Sequence, residues 1–142
     1  EILSGLVGSE MCIRDSTYTS AKYSKAADAA DEGARFASDQ PRHLVKLTTS
    51  YRLTGPFEAW RVGSTVRLQN EIDKDTSGVR IRQGGYALLD LMAGWQASRN
   101  LDLRLNVYNV FDKYYYESIG SPINGNGFGS PRSWLLTAKY QF

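Results

Sequence analysis

Few residues in this chain are of a type that does chemistry, and their spacing argues against their doing any. His43 is the single histidine and Cys12 the single cysteine among 142 residues, so neither a metal cluster nor an internal disulfide can be assembled from them. His43 reads instead as a polar residue at the outer end of a strand. The Gly-rich run "INGNGFGS" from Ile123 to Ser130 has the glycines of a phosphate loop but not its lysine, nor a strand-to-helix setting, which leaves a flexible surface loop. Asp112 is an isolated acid whose expected work is hydrogen bonding at a strand rim. No carboxylate pair and no nucleophile with a base stands out, so the expectation is no enzyme, no catalytic residue, no cofactor and no metal. The cations Arg61, Arg67 and Arg104 carry an excess charge that could attract an anionic ligand. No individual ligand-binding residue is assigned.

Composition narrows the class. The 17 basic and 15 acidic residues are scattered and leave a net charge of +2, so no basic patch points to nucleic acid. There is no run of about 18 apolar residues, which excludes a transmembrane helix and leaves transmembrane strands open. Nine Tyr, three Trp and 13 Gly beside four Pro favour strands and turns, and the expected fold class is all-β.

The elements that must position these residues are strands. Residues 1–16, "EILSGLVGSEMCIRDS", show neither alternation nor helical periodicity, and "EMCIRDS" resembles a translated sequencing adapter. They are therefore expected to be non-native, the alternative being a real strand or loop of the preceding barrel, and are set apart from residues 17–142. Beyond them six alternating segments fall near 17–25, 43–53, 60–72, 86–97, 101–116 and 132–142. Their connections run long (Ala26–Gln40), short (Thr54–Ala59), long (Asp73–Gly84), tight (Ser98–Asn100) and long (Gly120–Pro131). That rhythm is the one bacterial outer-membrane barrels follow, with short periplasmic turns and long extracellular loops, and it puts the C-terminus on the periplasmic side.

Alternation also sorts the side chains. One phase carries large apolar residues such as Val45, Leu47, Val62, Val66, Leu68, Ile72, Leu89, Leu91, Leu103, Leu105 and Leu136. The other carries the charges Lys46, Arg52, Arg61, Arg67, Glu71, Asp90, Asp102, Arg104 and Lys139. Such two-faced strands fit a soluble barrel or a membrane barrel. The aromatics separate the two: Tyr51, Trp60, Trp95, Tyr140 and Phe142 lie beside the short turns, and Tyr86, Phe111, Tyr115 and Trp134 beside the long loops. Rings at both ends of an aliphatic band are what two membrane interfaces select. Six strands cannot close a barrel, which needs about eight, so further strands are expected upstream.

With the strands placed, several stretches resemble TonB-dependent outer-membrane receptors of the ferric-siderophore branch. "NVYNVFDKYYY" from Asn106 to Tyr116, with its core at Asn109–Lys113, resembles the family's penultimate strand. "QPRHLVKLTTSYRL", "WRVGSTVRLQNE", "GGYALLDLMAGWQ" and the closing "GSPRSWLLTAKYQF" are similar to family segments in the same order. The resemblance implies that the chain is the C-terminal part of an antiparallel transmembrane β-barrel of about 22 strands with a plug domain. It implies a Gram-negative outer membrane, with lipid around the wall and a ferric siderophore as cargo. TonB would be engaged through an N-terminal region outside this chain, and the barrel-assembly machinery would recognise Tyr140 and Phe142. Arg61, Arg67 and Arg104 would then face the plug, and the rings of Tyr114 to Tyr116 would be the first place to look for cargo contact. A passive outer-membrane porin and a soluble ligand-binding barrel are the alternatives, separable by upstream sequence and by solubility without detergent.

Overall fold

An extended strand satisfies none of its own backbone N–H and C=O groups, and pairing with neighbouring strands satisfies them. In the computed structural model, residues 10–20, 22, 24–25, 39–76, 78–121, 123 and 125–142 are described. They form β1 (Glu10–Tyr18), β2 (His43–Arg52), β3 (Trp60–Gln69), β4 (Ile72–Thr76), β5 (Val79–Gln83), β6 (Tyr86–Gln96), β7 (Leu101–Tyr108), β8 (Tyr116–Ser118), β9 (Gly127–Phe128) and β10 (Ser133–Tyr140). Six of these make one antiparallel sheet in the order β1-β2-β3-β6-β7-β10. The other four pair as two small hairpins, β4-β5 and β8-β9. Among the described residues the large sheet is open at both edges. No helix among the described residues is long and apolar enough to cross a membrane, which says nothing against crossing by strands.

Register fixes the faces. Directly opposed residues point to the same side of a sheet, and the pairs Val45–Leu68, Leu47–Val66, Val66–Leu89, Leu91–Val107, Leu105–Leu136 and Val107–Trp134 join the apolar phases of five strands into one surface. Its large side chains stay open: Leu91 is 43 % exposed and Leu136 69 %. The opposite surface carries Lys46, Arg52, Arg61, Arg67, Asp90, Asp102, Arg104 and Lys139, again by register. On the apolar side Thr49 and Ser64 share a hydrogen bond of 3.1 Å, so neither hydroxyl is left unpaired there.

The short turns are built by local chemistry. Gly55 has φ +66° and opens the 3-10 turn Gly55–Phe57 between β2 and β3. The Ser98 hydroxyl accepts from the amides of Asn100 and Leu101 at 3.2 and 3.1 Å, closing the β6–β7 turn. Asn100 then donates to the Gln141 carbonyl at 2.6 Å and accepts from its amide at 2.9 Å, tying the end of β10 to that turn.

Four expectations need correction. The first strand is β1 at Glu10–Tyr18, not 17–25, so residues set apart from the fold pair along β2. The strand expected at 101–116 ends at Tyr108, because Asn109 takes φ +48° and leaves the ladder. Ile72, assigned to the open apolar face, belongs to β4 and is buried. The stretch 73–84 is mostly hairpin, held by Arg80 donating twice to Asp73 at 3.0 and 2.7 Å, by Arg82 on Glu71, and by Lys74 on Asp39 at 3.2 Å. Residues 26–38 of the first long connection lie outside the described residues.

Candidate functional site

On the charged face, β2 and β3 place like charges directly opposite each other twice, Lys46 against Arg67 and Arg52 against Arg61. Such pairs destabilise a sheet. Arg67 is offset by Asp90 on β6, at 3.5 Å. Arg61 continues a row through Gly94 to Arg104, and among the described residues no ion pair reaches Arg52, Arg61 or Arg104. The site-like cations expected from sequence are thus on one wall, but only Arg67 is tied into a network.

That network lies where β7 ends. The Asn109 amide donates to Asp90 Oδ1 at 2.9 Å, and the Val110 amide regains the ladder on the Leu89 carbonyl at 2.8 Å. Asn109 is 3 % exposed, and its side chain is fully used. Its Nδ2 donates to the carbonyls of Lys113 and Ser130, both at 3.0 Å, and its Oδ1 accepts from the Lys113 amide at 2.8 Å. Asp112, at φ +52°, accepts from the Arg132 amide at 2.9 Å, the rim hydrogen bonding its isolation implied. The Asn109–Lys113 motif is therefore a turn that clasps both stems of the loop between β7 and β10.

The loop so held is ordered by rings. Tyr115 is buried with its ring centroid 4.5 Å from that of Tyr86. A side chain at Gly129 would fall 1.9 Å from the Tyr115 ring, so only glycine fits. Burial raises the Tyr115 phenol above its ordinary pKa, with Arg67 opposing. Tyr86 and Tyr115 therefore pack with each other over the charged face and leave the expected loop-end belt. Trp134 and Phe111 remain exposed. Three further rings form a cluster: Tyr116 stacks on Phe128 at 4.7 Å, and Tyr114 meets Phe128 edge-on at 6.4 Å. Tyr114 is 79 % exposed and Phe128 64 %. The Tyr116 amide donates to Gln83 Oε1 at 3.0 Å, which fastens the loop to the β5 hairpin. Tyr114 and Tyr116 had been singled out in the sequence. Phe128 was missed, since it sat inside a Gly-rich run read only as flexible.

The remaining singled-out residues stay apart from this cluster. His43 opens β2, exposed, with its ring 4.9 Å from that of Tyr18 and its amide on Asn70 Oδ1 at 3.0 Å. No group of three metal-ligating side chains occurs among the described residues. Cys12 is exposed on β1. In the Gly-rich run, Asn126 accepts from the Gly120 amide and donates to the Ser121 carbonyl, at 3.0 and 2.8 Å, folding the run on itself. At the opposite end of the sheet Trp60 and Trp95 stack at 5.6 Å, and Tyr140 meets Phe142 edge-on at 5.2 Å.

Residues 13–110 match the family model described as TonB dependent receptor-like, beta-barrel. The chain belongs to that family. Among its TonB-dependent receptor relatives, the ferric-pyoverdine M114 receptor of Pseudomonas sp. strain M114 is 34 % identical over 128 residues, which is 89 % of this chain and 16 % of that protein. The catecholate siderophore receptor Fiu of Escherichia coli K12 is 32 % identical over 89 % of this chain and 17 % of its own length. In structure, the ferripyoverdine receptor of the Pseudomonas aeruginosa outer membrane, solved with ferripyoverdine bound, superposes with a TM-score of 0.83 at 26 % identity. The match covers 97 % of this chain and 18 % of that one. This family member thus spans about a sixth of the length of such relatives, and its sheet is a fragment of a larger barrel.

Proposed function

We propose that this chain forms part of the wall of an outer-membrane receptor that imports a ferric siderophore. The observation that carries the reading is the two-faced sheet: one continuous apolar surface left open across five strands, backed by a charged surface. An open apolar sheet face of that extent needs a lipid partner, and a cationic opposite face needs a wet lumen. Relatives that share the sheet are named as siderophore receptors. The chain's role is transport and not catalysis. Its partners are lipid on the apolar face and a ferric chelate at the loop end, where Tyr114, Tyr116 and Phe128 gather. TonB engages a region outside this chain. The short-turn end, with Tyr140 and Phe142, faces the periplasm, and these two residues serve as the signal for the barrel-assembly machinery. Residues 17–142 are the receptor's own, and residues 1–16 are a foreign join.

Uptake of ferric pyoverdine by cells carrying the full-length receptor tests this. Radioiron accumulation that stops when the proton-motive force is collapsed is the expected result. Accumulation that persists would instead mark a passive porin.

A further inference from the structure

We propose that Asp90 is a positioning residue for ligand capture, holding the aromatic loop between Lys113 and Ser130 in place from the barrel wall. The β7 strand gains one residue at Asn109, and an extra residue in a ladder strands a donor. Here that donor is the Asn109 amide, and Asp90 Oδ1 takes it at 2.9 Å while the next amide returns to Leu89. A carboxylate acceptor makes a hydrogen bond about twice as strong as a neutral one. The bulge is therefore held by the charge on Asp90, and that charge is held in turn by Arg67.

The bulge matters because Asn109 can clasp the loop only from the left-handed backbone conformation it adopts there. With φ at +48° its side chain reaches Lys113 at one stem and Ser130 at the other. Between those stems run Tyr114, Tyr116 and Phe128, the clustered rings, of which Tyr114 and Phe128 are exposed. A continuous path of polar contacts thus links Arg67 on the wall, through Asp90 and Asn109, to the frame on which the rings are mounted. Freed from Asp90, the bulge can slide back into the ladder, and the stems lose their common anchor. The role in capture rests on the reading that this loop meets the ferric chelate; the anchoring of the loop does not.

Hydrogen exchange and ferric-pyoverdine binding, both measured on the full-length receptor in lipid, test the two parts separately. In Asp90→Ala the amides of residues 113–130 should exchange at least about tenfold faster, as expected for losing one charged hydrogen bond. Amides of β2 should not change, and ferric pyoverdine should dissociate faster. Asp90→Asn keeps an acceptor for Asn109 and should fall between. Asn109→Gly tolerates the backbone angle but removes the clasp, so it should loosen the loop even if Asp90→Ala fails to fold. Loop protection within about twofold of the parent in every variant that folds would overturn the anchoring. A loosened loop with unchanged dissociation would overturn the role in capture. A parent receptor that binds neither ferric pyoverdine nor a ferric catecholate, yet loosens as described, would sink the ligand reading and leave the anchoring standing.

Discussion

β1 and β3 flank the same strand, pair with it along almost its whole length, and differ in one respect that the pairing itself does not reveal. β3 meets the apolar face of β2 with apolar residues: Leu68 against Val45, Val66 against Leu47, Val62 against Tyr51. β1 meets it with Ser16 against Val45, Arg14 against Leu47 and Cys12 against Thr49, while Met11 and Ile13 fall on the charged side. A shift of one residue reverses every side chain of a strand. In β1, Arg14 is out of place on the apolar face and Met11 and Ile13 on the charged face, whereas Asp15 against Lys46 sits where the wall would put it. Tyr18, on the same face as Arg14 and Ser16, lies beside His43. Hydrogen bonding accepts any backbone at an open edge, whereas membership of a membrane wall is decided by which side each residue faces.

The largest expected effect comes from giving β7 what β1 shows at Arg14. In the full-length receptor, Leu105→Arg should destabilise by roughly 2–4 kcal/mol if the position lies near the bilayer midplane, and Arg104→Leu by much less. Urea unfolding in lipid vesicles reads both. Equal tolerance at the two positions would erase the distinction between faces and, with it, the case against β1.

Long-read sequencing of the source locus addresses β1 itself. The codons for "EMCIRDS" should be absent there, replaced by a segment whose residues alternate in phase with Tyr18. Finding them in frame with the barrel would mean a receptor that carries a mid-strand arginine on its lipid face.

How far the sequence revealed all this follows from where side-chain period and backbone conformation agree. β2, β3, β6 and β10 were legible because their alternation is long and keeps the charges to one face, and their register reproduces the faces read from it. β7 was legible only to Tyr108, since no periodicity announces that Asn109 and Asp112 turn to positive φ. The β4-β5 hairpin was hidden because its strands are held by the Arg80–Asp73 and Arg82–Glu71 ion pairs and by the single buried Ile72, with no run of alternating apolar residues. Of the candidate site, Tyr114 and Tyr116 were visible as rings in a suggestive motif. The clasp was not, because it joins Asp90, Asn109 and Ser130 across the chain.

A smaller effect separates β3 from β1 at the short-turn end, where β3 meets β6 through stacked Trp60 and Trp95. A double-mutant cycle to alanine at these two positions should give a coupling of about 0.5–1.5 kcal/mol, the value of an aromatic pair beyond its area. Thermal unfolding of the full-length receptor measures it. A coupling near zero would make the two rings independent interface anchors.

The smallest stability effect is expected at Phe142, and that is what makes it informative. Its side chain is fully exposed, and among the described residues its one ring contact is with Tyr140. As a girdle ring its pairing with Tyr140 is worth about 0.5–1.5 kcal/mol beyond area burial, a loss that would be read as a lowered melting temperature. The proposed assembly role predicts something different in kind. β10 is an open edge that must find its closing strand at the membrane, and an aromatic anchor beside that edge fixes its depth while the edge is unpaired. Deleting Phe142 from the full-length receptor should therefore lower the inserted fraction, seen by heat-modifiable gel mobility and membrane fractionation, with synthesis unchanged. The melting temperature of the molecules that do insert should hardly move. Normal insertion with a lowered melting temperature would reverse the assignment and leave Phe142 as one more ring in the girdle.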